Sequence, residues 1–391
     1  VCCVATLLIS GCGQKIESGH KKAVNAANTR WKSMRSGMML QMAQQQFDTG
    51  DLDQAEKTLA EAIAIDAENA RLHTLAGRVA LERGQLERAY KRLELASSLD
   101  PKLAEVHYFR GIVLQRWSRY EDSLAAYEKA TELQEDNVGF LLAVAEMLVA
   151  LDRQDDAIAR LEAKVATFDQ NAGIRTALGQ LYSMQGKKDQ ALAMFHQAAL
   201  LRPDDVEVAE EYAQACLACG QTADAIRIYE KLVDQADKDA RSDLKRSLAG
   251  AYVAADRLSD AKQVYIELTR ENPQDVDTWI RLGELAWRQN DTSGALVAAN
   301  RVMAVAPRRP EGYIMAGMVW QQRQRVDEAL RLFDRAAVLA PESAEPVILR
   351  GLTLQRAGKQ EAAAAAYQEA LRRQPDDSRA RSLLASVSSQ P

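Results

Sequence analysis

Apolar residues recur along this chain at spacings of three and four, the period of a helix with one buried face. Residues 172–205 show the pattern most clearly, as two short helices and a turn. Leu178, Gly179 and Tyr182 share a face of the first helix, which spans roughly 174–185. Gly186 breaks it, and 187–189 form the turn. Ala191, Phe195 and Ala198 share a face of the second helix, which runs to about Leu201. Pro203 stops that helix, because a proline disfavours helical backbone at the residue before it. Asp204 and Asp205 are placed to cap the next helix by accepting from its unpaired N–H groups.

The unit repeats. A small residue opens each second helix at Ala55, Ala89, Ser123, Ala157, Ala191, Ala225, Ala261, Ala295, Ala329 and Ala363. A matching small residue lies in each first helix, at Ala43, Gly77, Gly111, Ala145, Gly179, Ala213, Ala249, Gly283, Gly317 and Gly351. The step is 34 residues except for one of 36, between Ala225 and Ala261. Small residues in both helices let the two backbones approach closely. Four residues after each second-helix small residue comes a large one, such as Leu93, Tyr127, Phe195, Phe333 or Tyr367. Ala299 is the exception, and Trp279 and Trp287 are expected to supply its missing volume. Six of the nine prolines fall at one repeat position: 101, 203, 273, 307, 341 and 375.

Leu178-Gly179, Tyr182, Ala191, Phe195, Ala198 and Pro203 resemble the signature of the tetratricopeptide repeat, a helix–turn–helix module. The resemblance implies an all-α fold: an α-solenoid, wound as a right-handed superhelix, of about ten units over 36–377. Residues 378–391 then form a capping helix and tail, covering a face that would otherwise aggregate. The insertion at 235–243 lacks the usual proline and predicts a small kink between the sixth and seventh units.

Candidate chemistry changes this picture little. His73 and His107 stand 34 apart, at a place that usually holds a packing residue. No third ligand recurs with them, so no metal is expected. Cys216 and Cys219 form a lone C-x-x-C on a helix, without a second ligand pair or a strand–helix redox setting, and read as packing residues. No phosphate-binding glycine loop is present, and neither a catalytic function nor a cofactor is expected. The net charge of −5 argues against a nucleic-acid partner.

The resemblance directs attention to the concave groove lined by the first helices, where protein or peptide partners would bind. The fifth, ninth and twelfth residues of a unit share one helical face. The last three units place Ile280, Glu284, Trp287, Ile314, Met318, Gln321, Ile348, Leu352 and Gln355 there. Six of these nine are large and apolar, so an exposed apolar groove is expected, with burial by the C-terminal helix or by superhelical curvature as the competing reading. The fifth and ninth residues of the ten units include no Lys and no Asn, unlike family members that grip a chaperone's terminal carboxylates.

The amino-terminal end has a different character. Residues 1–11 are apolar and uncharged, too short for a bilayer span of about 20 residues. Ile9-Ser10-Gly11-Cys12 resembles a bacterial lipobox, which implies a signal peptide over 1–11 and acyl chains on Cys12. The competing readings are an ordinary signal-peptide fragment or part of a membrane helix. The chain opens on Val1 without a basic lead-in, as when an upstream piece is missing or a non-standard start codon is read literally. Gly13, in place of Asp, leans the sorting towards the outer membrane. Residues 12–35 carry six bases and one acid and read as a basic tether, either against anionic head groups or simply solvated.

These features point to a lipid-anchored, non-catalytic scaffold in a bacterial envelope, facing the periplasm. It would organise a secretion, pilus or exopolysaccharide-export assembly. The alternative is a regulatory adaptor that recruits an enzyme. The repeat half of a glycosyltransferase is disfavoured, since only residues 378–391 follow the last unit.

Overall fold

The computed structural model describes residues 12–388. The expected signal segment 1–11 lies outside the described residues, and Cys12 is described by its backbone alone. The chain divides into two compact units, Val1–Gly186 and Lys187–Pro391. Among the described residues all regular structure is helical.

The first unit holds α1 (Cys12–Asp48), α2 (Leu52–Ile65), α3 (Ala70–Glu82), α4 (Leu86–Leu99), α5 (Ala104–Arg116), α6 (Tyr120–Leu133), α7 (Val138–Ala150), α8 (Gln154–Val165) and α9 (Ala172–Met184). The second holds α10 (Lys188–Leu201), α11 (Val206–Ala218), α12 (Thr222–Gln235), α13 (Lys238–Ala254), α14 (Leu258–Glu271), α15 (Val276–Arg288) and α16 (Thr292–Val305). It continues with α17 (Pro310–Gln322), α18 (Val326–Leu339), α19 (Glu345–Arg356), α20 (Gln360–Arg373) and α21 (Ser378–Ser388). Within each unit consecutive helices pack against one another.

The small residues act as the sequence requires. A Cβ built on Gly77 would lie 2.7 Å from Leu93 Cγ, and one on Gly317 would lie 2.6 Å from the Phe333 ring. Leu93, Phe333 and Tyr367 are fully buried over these glycines. Gly283 differs, because Ala299 cannot reach it. Met315 of α17 fills the space instead, its Cε only 2.6 Å from where a Gly283 Cβ would stand. Trp279 and Trp287 border the same apolar cluster without occupying that slot, which corrects the expectation that they replace the missing volume.

The turn inside each repeat places one residue in the left-handed region. These are Gly50, Gly84, Ser118, Asp152, Gly186, Gly220, Asp256, Asn290, Gln324 and Gly358. Half are not glycine: Asp152, Asp256 and Asn290 are types that tolerate this conformation, whereas Ser118 and Gln324 adopt it at a cost on the order of 1–2 kcal/mol each. At the junctions between repeats, side chains at one repeat position tie back to the turn before them. His73 Nε2 lies 2.8 Å from the Ala67 carbonyl and His107 Nε2 lies 3.0 Å from that of Pro101. Trp279 Nε1 donates to Pro273 O at 3.0 Å, Tyr313 Oη to Pro307 O at 3.1 Å, and an Arg381 amine to Pro375 O at 3.0 Å. Four chemically different side chains serve because each can donate at that distance. For His73 the tautomer follows: Arg92 lies 3.3 Å from Nδ1 and can only donate, so the proton sits on Nε2.

Asp205 accepts from the Val208 N–H at 3.3 Å, as a cap. The two-residue insertion is absorbed as helix. α13 has 17 residues where α11 and α15 have 13, and Asp237 caps it through the Ala240 N–H at 3.1 Å. Without the proline, nothing stops the helix from starting a turn early. α21 sets Ala380 and Val387 into the apolar clusters formed by α19 and α20.

α1 is the outlier at 37 residues. Its carboxy-terminal part pairs with α2 as a repeat helix, burying Ala43 against Ala55 and Leu59. The expected tether is thus helical and runs without a break into the first repeat, and its residues 21–35 are all exposed.

Candidate peptide-binding clefts

The nine groove candidates do not form an exposed apolar patch. Ile280 and Ile348 are buried. Ile314, Met318 and Leu352 are half-buried against Ala329, Phe333 and Leu349. Trp287 packs on the cluster of Ala286, Ala298, Ala299 and Met315. Gln321 donates to Thr353 Oγ1 at 2.8 Å, and Gln355 accepts from the Tyr367 hydroxyl at 2.8 Å. The apolar side chains at these positions are therefore spent between repeats, and only Glu284 is exposed, paired with Arg281 at 3.0 Å.

Open clefts occur elsewhere. In the second unit, α13 and α15 form opposite walls of a cleft of about 490 Å3. Arg246, Gly250 and Val253 line it from α13, and Asp277, Arg281, Glu284 and Arg288 from α15. The α13 trio are the fifth, ninth and twelfth residues of their repeat. The facing wall shows a rotated set, because two helices that border one cleft present opposite sides to it. That rotation is why Ile280 turns away while Arg281 turns in. Gly250 leaves the wall open: beyond its chain neighbours and its own helix backbone, no atom lies within 4 Å of where a Cβ would stand.

The cleft is rich in guanidinium groups, each with a carboxylate neighbour. Arg246 pairs with Asp275 at 3.1 Å and also contacts Asp243, and Arg288 pairs with Asp256 at 3.7 Å. Burial by itself would push the Asp275 carboxyl up. The hydroxyl and N–H of Thr278, together with Arg246, outweigh it and hold the group below the usual carboxylate range. Burial pushes the Tyr265 phenol up, so it stays neutral on the cleft floor at physiological pH.

In the first unit a cleft of about 590 Å3 lies between α1 and α3 and reaches Leu103 and Glu105. Gln41, Gln44, Gln45, Thr74 and Arg78 line it. Arg78 is held between the rings of Phe47 and Phe109, 4.7 and 4.8 Å from their centroids, and donates to Gln44 Oε1 at 3.3 Å. Amide side chains beside a fixed cation suit hydrogen bonding to an extended backbone.

Cys216 is buried and Cys219 half-buried; burial pushes both thiols up, which makes them poor nucleophiles. Among the described residues no group of three or more His, Cys, Asp and Glu side chains is arranged to hold a metal ion. No described helix is long and apolar enough to cross a membrane.

Sequence reasoning missed one feature. Val24, Trp31, Met34, Met38 and Met42 make an exposed apolar stripe on α1. Their spacing carries the signal, since all five fall on one face of the helix, among the bases that mark the segment as a tether.

Stacked helix pairs of 34 residues with clefts between their first helices define the class: an α-solenoid of helix–turn–helix repeats. The chain belongs to the tetratricopeptide repeat family, whose models match residues 46–111, 104–137, 182–248, 247–312 and 348–388. Repeats of this family suggest a protein-binding scaffold and are generally non-catalytic. No curated protein matches the sequence. Among solved structures, a tetratricopeptide repeat protein from Parabacteroides merdae is similar at 18% identity, with 64% of this chain and 98% of that one covered and a TM-score of 0.45. The C-terminal part of a repeat-containing protein from Cytophaga hutchinsonii is similar at 17% identity, covering 61% and 98%, with a TM-score of 0.49. YrrB, described as a TPR protein with an unusual peptide-binding site, is similar at 21% identity, covering 47% and 95%, with a TM-score of 0.37.

Proposed function

We propose that this chain is a non-catalytic scaffold that holds extended segments of partner proteins in its first-helix clefts. Acyl chains on Cys12 tether it to the periplasmic face of a bacterial outer membrane. There it assembles or stabilises a multiprotein envelope system for secretion, pilus formation or exopolysaccharide export. The observation that carries the binding role is the α13–α15 cleft. Three guanidinium groups can donate to the carbonyls and acidic side chains of a peptide, two exposed carboxylates can accept from its N–H groups, and the open wall at Gly250 leaves room for its backbone. Lipobox-like residues before Cys12 carry the tether, and Gly13 carries the choice of membrane.

A photo-crosslinking residue at Gly250 tests the binding role. It should trap one partner in cells, and the purified partner should lose binding to Arg281→Glu/Arg288→Glu while the helical circular dichroism stays unchanged. Unaltered affinity in that variant removes the cleft from consideration. Radiolabelled palmitate should enter the wild type and not Cys12→Ala; equal labelling would sink the anchor.

A further inference from the structure

Residues 21–35 of α1 are exposed on every side. This stretch continues the first repeat helix, and burial against the repeats supplies none of its stability. Val24, Trp31, Met34, Met38 and Met42 follow one another at i, i+7, i+10, i+14 and i+18, within about 80° of arc. Met34 is 68% exposed, Met38 65% and Trp31 54%. Met38 occupies the repeat position of Leu72, Val106 and Phe140, which are at most 4% exposed. Those three are covered by Ala62, Ala96 and Ala130 of the helix before them. Met38 has no such cover among the described residues.

Charge decides what the cover is. No acid occurs between Ser18 and Phe47, while Lys21, Lys32 and Arg35 flank the stripe on one side and Arg30 on the other. Arg35 already stands 5.2 Å from the Trp31 ring. Two copies of α1 placed face to face would bring these bases together and repel. An apolar ridge with an indole, bordered by bases on both flanks, matches a helix lying in a lipid head-group layer.

We propose that the Val24, Trp31, Met34, Met38 and Met42 face of α1 lies flat in the interface of an anionic bilayer, with Lys21, Arg30, Lys32 and Arg35 on lipid phosphates. The proposal rests on the envelope reading for the presence of a bilayer. It does not rest on acylation of Cys12, which would add chains at the start of the same helix.

The test uses the full chain with Cys12→Ser, which excludes acyl chains, and vesicles of phosphatidylethanolamine and phosphatidylglycerol or of phosphatidylcholine alone. Trp31 emission is isolated as the difference between this protein and its Trp31→Phe variant. It should shift to the blue and be quenched by acyl-brominated lipid on the anionic vesicles, and respond little to the neutral ones. Met34→Gln/Met38→Gln should weaken that partitioning at least about tenfold. Because both residues are exposed, circular dichroism should not change. Lys21→Gln/Lys32→Gln/Arg35→Gln should flatten its dependence on salt. Trp31 emission in anionic vesicles equal to that in buffer overturns the proposal. So does a blue shift without lipid that grows with protein concentration alongside dimers in sedimentation, which would make a second copy the occupant. The palmitate assay on Cys12 reports acylation separately, so either reading can fail alone.

Discussion

Met315 lies over Gly283 in the place that Phe333 takes over Gly317 and Tyr367 over Gly351. The filling side chain comes from the next repeat rather than from the same one. Three alanines, Ala295, Ala298 and Ala299, surround it and are fully buried. Met315→Ala should therefore open a cavity and cost about 2–5 kcal/mol in a urea melt. Adding Ala299→Leu to that variant should recover part of the loss, whereas Ala299→Leu alone should destabilise by overpacking. Equal effects of Ala299→Leu in both backgrounds would show that the two residues do not share one space.

The left-handed turn residues offer a gain in stability. Gln324 has φ +60° and Ser118 φ +58° where five other repeats carry glycine. Gln324→Gly and Ser118→Gly should each stabilise by up to about 1 kcal/mol, seen as a higher urea midpoint with an unchanged slope. Gly84→Gln should move the midpoint the other way.

The junction bonds make a third case. Trp279→Phe keeps an aromatic ring, though a smaller one, and removes the donor to Pro273 O. It should cost about 0.5–1.5 kcal/mol, and His73→Phe more, because His73 is buried and the Arg92 guanidinium would also lose its acceptor. Amide exchange in the 66–69 and 272–275 turns should quicken in the respective variants.

Asp291 gives a pH dependence with a defined sign. The Lys262 ammonium at 2.8 Å and the Gly294 N–H hold its carboxyl below the usual carboxylate range. A depressed folded value means the stabilisation is present above the unfolded pKa, about 3.9, and is lost as pH falls through the lower folded value. Asp291→Asn should therefore flatten the acid limb of the stability curve below about pH 4, with little change in its shape near neutrality. An identical acid limb in both proteins would assign the pH dependence to other carboxylates.

Met318→Glu and Trp287→Ala should behave as core variants rather than binding variants. Met318 packs against Phe333 and Leu349, so a carboxylate there should lower the melting temperature before any partner is added.

The repeat itself was legible without coordinates. Two in-phase series of small residues and six prolines at one repeat position leave helix–turn–helix stacking as the arrangement that buries both faces. The turn conformations, the capping by Asp205 and the packing of the His73 and His107 rings follow from local rules. The site was legible only in part: helical period puts Arg246, Gly250, Val253 and Glu284 on the groove face but leaves Arg281 and Arg288 off it, for a physical reason. Helical period assigns a residue to a face but does not say which neighbour that face meets. Ile280 and Arg281 differ by one position and by about 100° of rotation, and only the placement of α13 beside α15 decides that the arginine enters the cleft while the isoleucine is buried. The same holds for Gly283, since sequence ties it to Ala299 and only tertiary packing brings Met315 across from the next repeat. Composition marked 12–35 as basic; that its apolar residues line one uncovered ridge of a helix running on into the array depends on what packs against α1, which local propensity does not encode.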